Sequence, residues 1–191
     1  MKKLFMFLIV IILTFPILAH SEENDDIDAL TSNLLMYTDE FDGDTTYYSK
    51  FTHEDHNGSP LPSLKYNGIN YYEPFEISLY HNSDGFKLIF RFKYKGNDWI
   101  FFELVRVKVD DEIFDLDLSY SKIHRKILDG GKVSEYISVY PGSDLLEIIR
   151  KSYQSKNLSI RFIGEGQFTY EAPEETLNAI EEIITIYDQL I

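Results

Sequence analysis

From Phe86 to Lys95 the chain alternates. Phe86, Leu88, Phe90, Phe92 and Tyr94 take one side, and Lys87, Ile89, Arg91, Lys93 and Lys95 the other. A period of two belongs to a β-strand, so this stretch predicts a strand with one row against a core and a mostly cationic row in water. Asn82-Ser-Asp-Gly85 joins it as a hairpin to a strand at 75–81. Lys95-Gly-Asn-Asp98 predicts another turn, and 98–109 a longer strand. That strand starts Trp99-Ile-Phe-Phe102, apolar on both faces, and ends with Val105, Val107 and Val109 inward and Arg106 and Lys108 outward. Such a pattern predicts a central strand covered on both sides at its start. Asp110-Asp111 turns into a strand at 112–118, with Phe114, Leu116 and Leu118 on one face. A turn at Asp129-Gly-Gly131 precedes a strand at 132–140, and 158–162 predicts one more.

Earlier in the chain, Leu34-Leu-Met-Tyr37 opens the packed domain, and Asp39-Glu-Phe-Asp-Gly-Asp-Thr-Thr-Tyr47 turns into a Thr- and Tyr-rich strand near 45–52. Gly58, Pro60, Pro62, Gly68 and Pro74 make 53–74 a loop with short strand pieces. Two helices come late. Ser143 suits an N-cap and Asp144 the positive helix start, with Leu145, Ile148 and Ile149 on one face. The last helix opens at Pro173 with Glu174 and Glu175. Leu177, Ile180, Ile184, Tyr187 and Ile191 then recur at spacings of three and four, with Ile183 and Leu190 widening the stripe. The fold class is α+β: a mainly antiparallel β-sheet or sandwich of six to eight strands, with two covering helices near the C-terminus.

Residues 1–19 have the form of a signal peptide: Lys2 and Lys3, an apolar run over 4–13, Pro16, and a small residue at Ala19. The run is short for a membrane span, which needs about 20 apolar residues, although a retained N-terminal anchor is the alternative. The expected organisation is a signal peptide at 1–19, an acidic tether at 20–33 and one domain over 34–191, located in the periplasm or secreted, with no membrane span after cleavage. The chain has no cysteine, which excludes disulfides, thiol catalysis, cysteine-bound zinc and a thioether lipid anchor. Cleavage removes Lys2 and Lys3 and takes the formal charge from −14 to −16. Residues 20–49 hold nine acids and no Lys or Arg. Nucleic acid is therefore a poor partner. Another protein, basic in character, or a divalent metal ion fits better. The plainer reading, and the favoured one, is that the acids only keep an exported protein in solution. Nothing in the composition sets an oligomeric state.

The stretches 39–47, Tyr94-Lys-Gly-Asn-Asp-Trp-Ile-Phe-Phe102, Leu158-Ser-Ile-Arg-Phe162 and the closing Tyr187-Asp-Gln-Leu190 together resemble a group of small bacterial and phage-associated secreted proteins or lipoproteins. The resemblance spans most of the mature chain. It implies one exported domain and brings no functional residues with it. This chain lacks the lipid-bearing cysteine that many such proteins have.

Candidate chemistry is sparse. His53-Glu-Asp-His56 places two imidazoles three apart beside Asn57-Gly58, a loop setting, with His81, His124 or a carboxylate as a possible third metal ligand. The helical zinc-hydrolase motif spaces its histidines by four. Asp39, Asp42 and Asp44 resemble part of a calcium loop, but Ser49 stands where the closing Glu belongs. Tyr47, Tyr48, Tyr66, Tyr71, Tyr72 and Tyr80 offer a binding platform, although tyrosine more commonly fills half-buried strand positions. Glu103 shares a face with Trp99, Phe101 and Val105, a setting for a catalytic acid or, more ordinarily, for an ion pair with a Lys or Arg across the sheet. Lys122, His124, Arg125 and Lys126 form a small basic patch. No nucleophile elbow, phosphate loop or dinucleotide fingerprint occurs. The leading expectation is an exported non-enzymatic binding protein, inhibitor- or immunity-like, using its sheet face and the tyrosines. One alternative is a metal-dependent hydrolase of cell-envelope material using His53 and His56. The other is a passive envelope or surface component.

Overall fold

Gly85 takes φ 104°, which only glycine adopts freely, and so closes the hairpin predicted at 82–85. Strand β3 (Phe75–Asn82) pairs antiparallel with β4 (Gly85–Gly96) in unbroken register, from Phe75 opposite Phe92 to Asn82 opposite Gly85. The structure is a computed structural model, and it describes residues 26–53, 73–118 and 123–191. Residues 1–19, expected to be a signal peptide, and His56, Tyr66, Tyr71, Tyr72 and Lys122 lie outside those residues.

The chain divides into two units, 1–33 and 34–191. In the first, residues 26–31 form a helix, α1, inside the stretch expected to be a tether. Thr31 Oγ1 donates back to the Ile27 carbonyl at 2.9 Å.

The second unit adds β1 (Leu35–Thr38), β2 (Thr45–Tyr48), α2 (Lys50–His53), β5 (Leu104–Val109), β6 (Glu112–Asp117), β7 (His124–Ile127) and β8 (Val133–Val139). It closes with α3 (Ser143–Ser155), β9 (Ser159–Ile163), β10 (Gln167–Glu171) and α4 (Glu174–Leu190). A six-stranded sheet runs β1-β2-β3-β4-β8-β7, and a four-stranded sheet runs β10-β9-β5-β6. Every pairing is antiparallel. The fold is α+β and mainly antiparallel. It has ten strands among the described residues; the short β1, β7 and β10 exceed the expected six to eight.

Alternation explains the core. Phe75, Ile77 and Leu79 of β3 lie beside Leu88, Phe90 and Phe92 of β4, all at most 3% exposed. Helix α4 packs on β3 and β4, α3 packs on β5 and β6, and the two helices touch each other. Leu177, Ile180, Ile183 and Ile184 form the buried face of α4. Each such side chain contributes about 1.5–3 kcal/mol on burial, which offsets the ordering of a seventeen-residue helix. The four-stranded sheet supplies Val105, Val107, Ile160 and Phe162. Phe168 of β10 meets Tyr94 of β4 at 5.5 Å and Phe162 at 5.9 Å, so the two sheets join there. Helix α3 begins at Ser143 with Gly142 as its cap, one residue before the cap predicted.

The strand expected over 98–109 starts only at Leu104. Residues 97–103 are instead a crossover from one sheet to the other, with Phe101 at φ 48°. The carboxylate of Glu135, on β8, accepts hydrogen bonds from the backbone N–H of Ile100 at 2.8 Å and of Phe101 at 2.9 Å. Opposite lies Gly164, where any Cβ would come within 2.2 Å of the Phe101 carbonyl oxygen. The run threads the core, with Ile100 at 6% and Phe102 at 0% exposure, while Trp99 and Phe101 are half-buried.

Candidate functional site: the β1–β2 hairpin and its surroundings

The β1–β2 connection is built from its acids. Asp39 Oδ1 accepts the backbone N–H of Phe41 at 2.9 Å, an Asx-type turn. The Asp39 carbonyl accepts Gly43 N–H at 2.9 Å, and Asp39 N–H donates to the Asp44 carbonyl at 2.8 Å. Gly43, at φ 75°, makes the reversal. The Tyr80 hydroxyl, on neighbouring β3, donates to the Asp44 carboxylate and so ties the loop to the sheet. That bond is the main reason the Tyr80 hydroxyl is pushed up to about 12. Glu40, Phe41 and Asp42 stand out from this frame, and Phe41 is 97% exposed. Met36, on β1, is 67% exposed. The result is a held turn that presents one phenyl ring among the carboxylates of Asp39, Glu40, Asp42 and Asp44.

The expected tyrosine platform does not form at Tyr47 and Tyr48, which are 7% and 3% exposed. Strand β2 is second in its sheet and covered on both sides, so both side chains enter packing. Tyr47 lies near Phe86, and burial, with Glu76 next, pushes the Tyr48 hydroxyl up to about 12. Tyr80 is half-buried and engaged with Asp44. His53 closes the short α2, while its expected partner His56 lies outside the described residues. Among the described residues no group of three His, Asp or Glu side chains is placed to hold a metal. In the Asp39, Asp42, Asp44 set, two of the three carboxylates already serve the turn and Tyr80.

Glu103 is exposed, because the crossover breaks the strand period that put it beside Trp99. The buried carboxylates are elsewhere. Glu135 is 0% exposed and also accepts Arg125 Nε at 3.1 Å, and the Arg125 guanidinium lies over the Phe101 ring. So one member of the expected basic patch faces inward, while His124 stacks on Tyr136 at 4.9 Å. Glu76 is 5% exposed and binds Arg91 at 2.7 Å, and Arg91 Nε donates to Ser138 Oγ at 3.0 Å. Lys93 shares this outer face at 2% exposure. Burial lowers its ammonium to about 7 against the attraction of Glu76, and the nearby charges of Arg91, Lys95 and Lys126 lower it further. Arg91 and Lys93 of the cationic row of β4 are thus not solvated, while Lys87 is, paired with exposed Asp84. One signal could have found the pair: the 82–85 turn fixes the register, and counting back puts Glu76 opposite Arg91.

Among the described residues no helix is long and apolar enough to cross a membrane. No family model matches the chain, and neither a curated protein nor a solved structure matches it.

Proposed function

We propose that this chain is an exported, non-enzymatic binding protein that docks on a basic partner protein through the β1–β2 hairpin, in the manner of an inhibitor or immunity protein. The observation that supports it is Phe41, 97% exposed on a turn held by its own acids. Burying such a ring in a partner's pocket yields about 1.5–3 kcal/mol. A turn already fixed by Asp39, Gly43 and Tyr80 loses little freedom on binding, so more of that gain reaches the affinity. The surrounding carboxylates select a pocket rimmed by Lys or Arg and speed the encounter. The form of residues 1–19 supports export.

The test places a photo-reactive phenylalanine analogue at position 41 and expresses the full chain in its own cell. The cross-linked protein should be basic. Against that partner, Phe41→Ala should weaken binding at least tenfold, as a central aromatic anchor does. The thermal midpoint should not move, because Phe41 packs against nothing. Glu40→Lys with Asp42→Lys should slow association. Full affinity in both variants, or no adduct at position 41, overturns the proposal.

A further inference from the structure

Strand β6 ends the four-stranded sheet. It pairs with β5 on one side, and among the described residues no strand pairs with it on the other. An edge of this kind turns alternate N–H and C=O groups outward, where they template another strand. Natural sheets blunt such edges with charged side chains, most often Lys, with Pro or with a bulge; the charges of β6 are all acidic, which repels a like edge and leaves a basic strand admissible. The β6 sequence, Glu-Ile-Phe-Asp-Leu-Asp, has no Lys or Pro, and its register with β5 runs without a bulge from Leu104–Asp117 to Val109–Glu112.

The two faces of this edge differ in chemistry. On the inner side, Phe114 and Leu116 line a groove of about 280 Å³ together with Val139, Tyr140 and Leu145. Tyr140 is 65% exposed. On the outer side the strand presents Ile113, 58% exposed, then Asp115 and Asp117. Residues 109–117 hold five acids and no Lys or Arg. Lys151 engages Glu112 and Arg106 engages Asp115, while Asp111 and Asp117 stand in no ion pair among the described residues.

We infer that the β6 edge accepts an extended basic segment of a partner protein as a fifth strand of that sheet, with its apolar side chains in the groove and a Lys or Arg side chain over Asp117, the aspartate of this face that Arg106 leaves unengaged. The alternation of a strand matches the two sides: one row meets Phe114 and Leu116, the other Ile113 and Asp117. A second copy of this chain is the wrong occupant, because pairing β6 with β6 sets like charges across the new ladder. This surface is separate from Phe41 and does not depend on the reading of the hairpin.

The experiment titrates the full chain, labelled with nitrogen-15, with a capped hexapeptide of alternating valine and lysine. Amide shifts should be confined to 112–117 and 139–145. Replacing lysine by glutamate in the peptide, or Asp117→Lys in the protein, should weaken binding at least tenfold. Two further peptides carry N-methyl groups on the valines or on the lysines. One of them should lose binding, because only one set of N–H groups faces β6. Shifts elsewhere, equal binding of the glutamate peptide, or full binding by both methylated peptides overturns the inference. So does a dimer of the free chain, seen by sedimentation, whose β6 amides are already protected.

Discussion

Lys93 lies beside Glu76 and Arg91 with 2% of its surface exposed, and its ammonium is lowered from 10.5 to about 7. Below about pH 7 both folded and unfolded chains hold this proton, so the folded state carries the full burial cost. Between about 7 and 10.5 the unfolded chain still holds the proton and the folded one does not, so stability rises with pH. Above that window neither holds it and the cost is gone. Lys93→Met should therefore be more stable than the parent at pH 6, with the advantage shrinking steadily toward pH 10. Urea unfolding of both proteins across that range checks this, and a constant difference would reject it. Alternation correctly placed Lys93 opposite Phe92. It misjudged the surroundings, because a period of two says which residues share a face and not what covers that face. The same limit applied to Tyr47 and Tyr48. In β2 both faces are covered, and a tyrosine suits a buried strand as well as an exposed platform.

Helix α4 was readable from spacing alone. Leu177, Ile180 and Ile184 recur as a buried face should, and Ile183 and Ile186 complete it, while Ile191 is 77% exposed. Ile183→Ala should cost about 2–5 kcal/mol in urea unfolding, because it opens a cavity under a side chain with no exposure. Ile191→Ala should leave the midpoint unchanged. Strands β1, β7 and β10 escaped because four or five residues give too few repeats of a period. In β7, His-Arg-Lys-Ile has no alternation at all, and pairing with β8 makes it a strand. Trp99 to Phe102 failed for the opposite reason. A run apolar on both sides fits a central strand and a buried crossover alike. The acids of the β1–β2 hairpin were plain in the sequence. The exposure of Phe41 was not, since a phenylalanine in a turn can point either way.

At the scale of the molecule, Glu135 holds the two sheets in one arrangement. It belongs to the six-stranded sheet, yet it binds the backbone that leads into the four-stranded one. Glu135→Ala removes the carboxylate that Arg125 engages and leaves the buried Ile100 N–H and the part-buried Phe101 N–H without their acceptor. The expected cost is about 3–5 kcal/mol in urea unfolding. Glu135→Gln keeps an acceptor oxygen and should lose less. Equal stability of all three proteins would mean that the crossover holds without this residue. Since the chain has no cysteine, no covalent bridge takes over this role. Anyone fusing a tag or grafting a label onto this protein would be drawn to 97–103, a stretch with no regular secondary structure. That is the wrong place, because an added residue there would displace Phe101 from Glu135 and drive it into Gly164. Insertions belong where the backbone bonds only to itself.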